Sequence, residues 1–124
     1  MPQTVTTCPV STKKVFQLHG FEADWGYAQA VRAGPFIYVS GSVSIDANGH
    51  PVAADDMAAQ VANAYASVTA SLSAFGATLS HVVLEKLFTT DLPRFIAQGA
   101  ATRAEVYAGH SLPASSAWTE VARL

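Results

Sequence analysis

At Asp55 the period of the apolar residues changes from two to 3.6, and this change constrains the fold more than any other feature of the chain. Met57, Val61, Ala64, Val68, Leu72 and Phe75 fall on one stripe, while Asp56, Gln60, Asn63, Ser67 and Ser71 lie on another face. Asp55 is placed to cap the first turn, and Gly76 stands at the C-terminal stop. The spacing predicts an amphipathic helix of about five or six turns. A helix with one apolar stripe has to lay that stripe on another layer, and the flanking segments supply a sheet.

Those segments alternate with period two. "KKVFQLHG", "YAQAVRAG" and "FIYVSGSVS" read as three strands, the last two joined by a tight turn at Gly34-Pro35. "DANG", residues 46–49, reads as a reverse turn because Asn48-Gly49 accepts positive φ. In "HVVLEKLFTT", Val82, Leu84, Lys86 and Phe88 alternate with Val83, Glu85, Leu87 and Thr89, so a strand returns after the helix. Asp91 then caps a second helix over roughly 92–108, with Pro93 tolerated in the first turn and Gly109 at its end. "SAWTEVARL" is the final strand. The order is β-β-β-α-β-α-β, an α+β domain with two helices on one face of a mixed, mostly antiparallel sheet. Residues 1–12, rich in Thr, Ser and Pro, read as a flexible arm, and residues 13–124 as a single domain.

The other sheet face needs a cover. Half of the chain is hydrophobic and only 13% is charged, so further copies of the chain are the expected cover. A net charge of -2 supplies no broad basic field, which argues against nucleic acid as the main ligand. The single Cys8 excludes an intrachain disulfide. No apolar run approaches about 18 residues and the N-terminus is not a signal peptide, so a soluble, cytoplasmic protein without membrane contact is expected.

The residues alone give no reaction. His19, His50, His81 and His110 are scattered without metal-ligand spacing, so no metal site is expected. There is no nucleophile elbow and no phosphate-binding glycine loop. "SGS", residues 40–42, ends a strand with small residues that let a ligand approach backbone N–H groups, although a β-bulge or plain strand end is the simpler reading. Tyr27 and Tyr38 read as half-buried strand aromatics. Glu120 reads equally as a solvated residue or a cleft carboxylate.

Taken together and in order, three stretches carry more. "GYAQAVRAGPFIYVSGSVSIDANGHPV", "QVANAYASVTASLSAFGATLSHVVLEKLFTTDLPRF" and "LPASSAWTEVARL" resemble the RidA/YjgF family, often labelled L-PSP endoribonucleases. The resemblance runs from about Gly26 to Leu124. It implies a chorismate-mutase-like fold and a homotrimer whose sheets face inward as a barrel. Small-molecule ligands would sit in clefts at the subunit interfaces. It also implies hydrolysis of reactive enamines and imines to 2-oxo compounds and ammonia, with no cofactor. By resemblance Tyr27 matches the cleft tyrosine, and Ser40 with Gly41 matches the strand end that meets the substrate.

The same resemblance exposes departures. The family's cleft asparagine falls on Gly99, and the arginine that follows Pro-Ala falls on Ser115 counted forward or on Ser116 counted back from "EVARL". Trp118 lies just beyond, placed to fill the cleft or stack on a planar ligand. A hydroxyl does not replace an arginine fork on a carboxylate. The loss costs on the order of 2–4 kcal/mol, roughly 30- to 1000-fold in transition-state binding. Arg123 lies about 26 Å along the strand from Ser115 and is out of reach, which leaves Arg32 or Lys86 of a neighbouring subunit, neither of them placed there by the sequence. Family chains continue through one more strand bearing a water-orienting carboxylate, so a longer natural chain is the expectation. The substrate-binding set is therefore Tyr27, Ser40, Gly41, Ser115, Ser116 and Trp118, with no catalytic residue assigned. The expected function is an imine or enamine deaminase, weak on 2-imino acids. The alternatives are a non-catalytic metabolite-binding homotrimer and, with less support, an endoribonuclease.

Overall fold

β1 (Lys14–Phe16), β2 (Ala30–Ala33) and β3 (Phe36–Val39) form an antiparallel meander in which Val15, Val31 and Tyr38 stand side by side. The computed structural model describes residues 13–111 and 115–124, so the arm expected over residues 1–12 lies outside it. Gly34, at φ 59°, makes the turn between β2 and β3 in the left-handed region, where a side chain is strained. A short helix not foreseen in the sequence, α1 (Phe21–Asp24), links β1 to β2. Tyr27 therefore lies in the connection rather than in a strand.

The long helix, α2 (Met57–Ser73), starts one residue later than its pattern suggests. Its N-cap is Asp56, whose carboxylate accepts the Ala59 N–H at 3.0 Å. Asp55 instead takes a positive φ of 61° and its carboxylate lies 4.0 Å from Arg94. At 17 residues the helix has just under five turns. Its apolar stripe is the expected one, with Val61 and Leu72 buried and Met57 and Val68 packed on the core, but it is widened by Tyr65, which is buried too. Ser71, read as polar-face, is fully buried and donates its hydroxyl to the Ser67 carbonyl at 2.8 Å.

β4 (Leu84–Thr89) follows a short 3₁₀ turn, Leu79–His81. The second helix begins as α3 (Leu92–Arg94), capped by Asp91, which accepts the Arg94 N–H at 3.0 Å. It widens into a π turn over Phe95–Gly99 and continues as α4 (Ala100–Val106). β5 (Ser115–Glu120) then lies parallel to β4, so this half of the chain is a β-α-β unit. The strands are hydrogen-bonded in two groups, β1-β2-β3 and β4-β5.

Both groups put one face on the helices. The core joins Val61, Tyr65, Leu72, Leu79, Phe95 and Tyr107, with Ile37, Val39 and Leu87 packed on it from the strands. The opposite faces carry exposed apolar side chains, among them Phe36 (63% exposed) and Tyr38 (62%) on β3 and Leu84 and Phe88 on β4. The α+β arrangement with helices on one side is thus as read from the sequence. No helix of the described residues is long and apolar enough to cross a membrane.

The cap assignment is testable by chemical denaturation. Asp56→Ala is expected to lower stability by about 1 kcal/mol, because the Ala59 N–H loses its acceptor. Asp55→Asn, which keeps a side chain tolerant of positive φ, is expected to change it by less than about 0.5 kcal/mol. The reverse ranking would return the cap to Asp55.

Candidate functional site

Glu85 points from β4 toward the helices, and four side chains converge on it. Its Oε2 accepts the Tyr65 hydroxyl from α2 at 2.5 Å and the Tyr107 hydroxyl, just past α4, at 2.8 Å. Its Oε1 accepts Arg103 Nε from α4 at 2.7 Å and the Ser116 hydroxyl from β5 at 2.9 Å. The pair is largely shielded from water, with side-chain exposures of 13% for Arg103 and 10% for Glu85. The guanidinium also lies 4.9 Å from the Tyr107 ring centre and 5.6 Å from that of Trp118.

Electrostatics follow from this geometry. Burial disfavours the charged form of Glu85, but the four donors outweigh it and hold the carboxyl below its ordinary 4.5. Burial, then the bond to Glu85 and its charge, push the Tyr65 and Tyr107 phenols well above their ordinary 10.0. For Arg103, burial opposes the charge, yet Glu85 holds its pKa above the ordinary value. The cluster is a self-satisfied ion pair with neutral phenols. Sequence reading missed it, because alternation left open which face of β4 is buried and long-range partners leave no local signal.

β5 sets the two serines on opposite sides. Ser116 and Trp118 stand opposite Glu85 and Leu87 on the helix side, and Ser115 stands opposite Leu84 on the outer side. Ser116 is engaged twice, donating to Glu85 and accepting the Trp118 indole N–H at 3.0 Å. Trp118 packs edge-on against Phe95, with centroids 5.0 Å apart. Glu120 is exposed and accepts the Leu92 N–H at 3.0 Å, which anchors the start of α3. Pro113 and Ala114, the anchor used to count forward, lie outside the described residues.

Gly99 lies in the π turn, buried. A Cβ built there would meet Phe95 Cδ2 at 2.7 Å and Val61 Cγ2 at 3.0 Å. The space of an asparagine side chain is thus occupied by the core, and the glycine is a packing requirement.

The other expected residues cluster at the β2–β3 end of the molecule. Ser40 follows β3, donates its hydroxyl to the Ala28 carbonyl at 2.7 Å, and gives its N–H to the Gln29 carbonyl at 2.8 Å. Gln29, buried and unforeseen, holds the segment through one amide group: Nε2 reaches the Ser40 and Gly41 carbonyls at 3.3 Å and Ser42 Oγ at 3.1 Å. Among the described residues no acceptor meets the N–H groups of Gly41 or Ser42. A Cβ at Gly41 would meet nothing within 4 Å. Tyr27, 40% exposed, lines an open cavity of about 460 Å³ with Lys13, Val15, Gln17, Ala23, Gly26, Ala28 and Val31. Tyr27, Ser40 and Gly41 thus neighbour one another through Ala28 and Gln29. No hydrogen bond among the described residues joins them to Ser115, Ser116 or Trp118.

Comparison with known proteins agrees with this architecture. A sequence model of the family described as endoribonuclease L-PSP matches residues 18–124. A RutC family protein of Pyrococcus abyssi is 35% identical over 101 residues, covering 79% of this chain and 75% of its own. The crystal structure of the YjgF gene product of E. coli superposes with a TM-score of 0.76 at 31% identity, over 90% of this chain and 87% of that one. Rv2704 of Mycobacterium tuberculosis, a YjgF/YER057c/UK114 family member, gives 0.69 at 28% identity, over 91% and 87% of the two chains.

The Glu85 cluster predicts how stability varies with pH. The carboxyl is more acidic folded than unfolded, so its contribution is complete at neutral pH and is lost as pH falls through the lowered value. The phenols are less acidic when folded, so their contribution is complete below the ordinary 10.0 and is lost as pH rises beyond it. Glu85→Gln is expected to cost about 3 kcal/mol at neutral pH, since Arg103 keeps its charge without a counter-ion, and to flatten the acid limb. Urea midpoints across the pH range measure both effects. An acid limb unchanged in Glu85→Gln would show that other carboxylates dominate.

Proposed function

We propose that this chain, which belongs to the endoribonuclease L-PSP family together with the YjgF proteins, is a homotrimeric imine or enamine hydrolase that favours uncharged imines over 2-imino acids. The observation that carries the reading is the strand end at Ser40–Gly41. Two successive N–H groups, of Gly41 and Ser42, have no acceptor among the described residues, and the glycine leaves the approach to them open. Such donors hold an acceptor atom of a small substrate at a fixed place, which is the main help this chemistry needs. Water adds to the carbon of the C=N bond, and the resulting carbinolamine expels ammonia to leave the carbonyl compound.

The substrate preference rests on charge. Ser115, on the outer face of β5, offers a hydroxyl where a carboxylate would need a cation. Ser116 is committed to Glu85, and the charge of Arg103 is already neutralised there. The exposed Phe36, Tyr38, Leu84 and Phe88 give a second and third copy of the chain an apolar surface to cover. Assembly in this way would set β5 of one copy against the strand end of the next and complete a cleft.

Hydrolysis of an uncharged imine and of a 2-imino acid generated in situ by a dehydratase separates the outcomes, with light scattering to count chains per particle. The uncharged imine is expected to turn over, and the 2-imino acid roughly 30- to 1000-fold more slowly than with an arginine-bearing relative. Ser115→Arg is expected to raise 2-imino acid turnover, and Ser116→Arg to destabilise the Glu85 cluster. Gly41→Val is expected to abolish turnover in a correctly assembled trimer. A trimer that accelerates neither substrate while binding it would make the protein a metabolite-binding member, and a monodisperse monomer would remove the interface cleft.

A further inference from the structure

We infer that Gln29 is a positioning residue: its side-chain amide aims the N–H groups of Gly41 and Ser42 out of the strand end together and strengthens both as donors. In a regular strand successive carbonyls point to opposite edges. Here one nitrogen, Gln29 Nε2, reaches the Ser40 and the Gly41 carbonyls at 3.3 Å each, so both carbonyls lie on the inner side. These two acceptors also fix the orientation of the amide, since only its NH2 end can donate to them. The peptide bonds are trans, so each N–H points away from the carbonyl of its own peptide group. The group that holds the Ser40 carbonyl also holds the Gly41 N–H, and the group that holds the Gly41 carbonyl holds the Ser42 N–H. Pinning two carbonyls inward therefore turns two successive N–H groups outward. They emerge beside the exposed Gly41, where a Cβ would meet nothing within 4 Å.

Gln29 itself has little freedom. It is 5% exposed, its own carbonyl accepts the Ser40 N–H at 2.8 Å, and its Nε2 donates to Ser42 Oγ at 3.1 Å. The Ser42 hydroxyl in turn donates to the Ser40 carbonyl at 3.1 Å. A carbonyl that accepts a hydrogen bond polarises its peptide group, and the N–H on the far side becomes a better donor, by about 10–30% per bond. The inference rests on the hydrolase reading for its chemistry. As the oxygen of water bonds to the imine carbon, the C=N π pair moves onto nitrogen. That nitrogen accepts the two N–H groups more strongly until it takes a proton from the added water. Donors already aimed and polarised cost no reorganisation as this charge builds, so Gln29 acts on kcat more than on KM.

Two variants separate the donor from the shape: Gln29→Met keeps the length without a donor, and Gln29→Glu keeps the shape with a carboxylate in place of the NH2 group. Amide NMR of the whole protein without substrate is expected to show the Gly41 and Ser42 N–H resonances moving upfield in both. Turnover of an uncharged imine by Gln29→Met is expected to fall about 5- to 30-fold in kcat with KM within about twofold. Ser71→Ala, a buried change in α2, is expected to lower stability while leaving those resonances and the kinetics in place. In the unmodified protein the Gln29 NH2 protons are expected to exchange with water more slowly than those of the exposed Gln98. Equal exchange at the two glutamines would overturn the inference without any variant. Unmoved Gly41 and Ser42 resonances in Gln29→Met, or a kinetic loss no larger than in Ser71→Ala, would overturn it as well and leave the hydrolase reading standing. Shifted resonances in a protein whose unmodified form turns over no imine would do the reverse, with Gln29 still the residue that aims the two donors.

Discussion

Glu85 is the point on which the second half of the molecule depends. A carboxylate facing the core is costly unless its lone pairs are filled, and here four donors fill them from α2, α4, the turn after α4, and β5. Each donor comes from a different part of the chain, so the charge acts as a positional constraint on all of them. It sets the rotation of α2 through Tyr65 and of α4 through Arg103, and it fixes which side of β5 faces inward. Because strand side chains alternate, binding Ser116 inward sends Ser115 outward along with Leu84 and Lys86. An interaction thirty-one positions away in sequence thus orients the two adjacent serines, Ser116 inward and Ser115 outward.

What was legible in the sequence was periodic or local. The order of strands and helices follows from alternation and from the 3.6-residue stripe, and Asp91 and Gly109 mark helix ends by ordinary capping chemistry. Two adjacent aspartates defeated the same logic at α2. Both fit a cap, and only the backbone shows that Asp55 turns into the left-handed region and hands the role to Asp56. Tyr65 was missed because its hydroxyl counts as polar in a pattern, while in the structure its ring is buried and its oxygen bonded to Glu85. Arg103 was unreadable for a related reason: a charge whose partner is distant looks the same in a sequence as a solvated one.

The candidate site was legible in pieces but not in place. Ser40 and Gly41 do sit past the end of β3, yet their carbonyls turn inward to Gln29, a buried amide that no pattern marks. Satisfying those carbonyls from inside leaves only the N–H side for a ligand, which narrows the chemistry the strand end can offer to holding an acceptor. Tyr27 opens instead onto a cavity floored by β1, and β5 stands in the other hydrogen-bonded group of strands. In the proposed trimer a cleft that draws on both would be completed across chains, which couples substrate recognition to assembly.

Gly99, Ser116 and Trp118 belong to one packing unit. Phe95 fills the space that a side chain at 99 would occupy, Trp118 lies edge-on against Phe95, and the Trp118 indole N–H is accepted by Ser116, which in turn donates to Glu85. An asparagine at 99 would displace the phenylalanine, and a large side chain at 116 would break the bond that orients the indole. Each residue is therefore held by its neighbours rather than by a ligand, and changing one without the others sets core packing against site chemistry. Ser115, on the outer face and outside this unit, is a position where a cation can be introduced without disturbing the core. A cationic side chain at 115 and an asparagine at 99 thus have different physical standing: the surface tolerates the first, and the interior excludes the second.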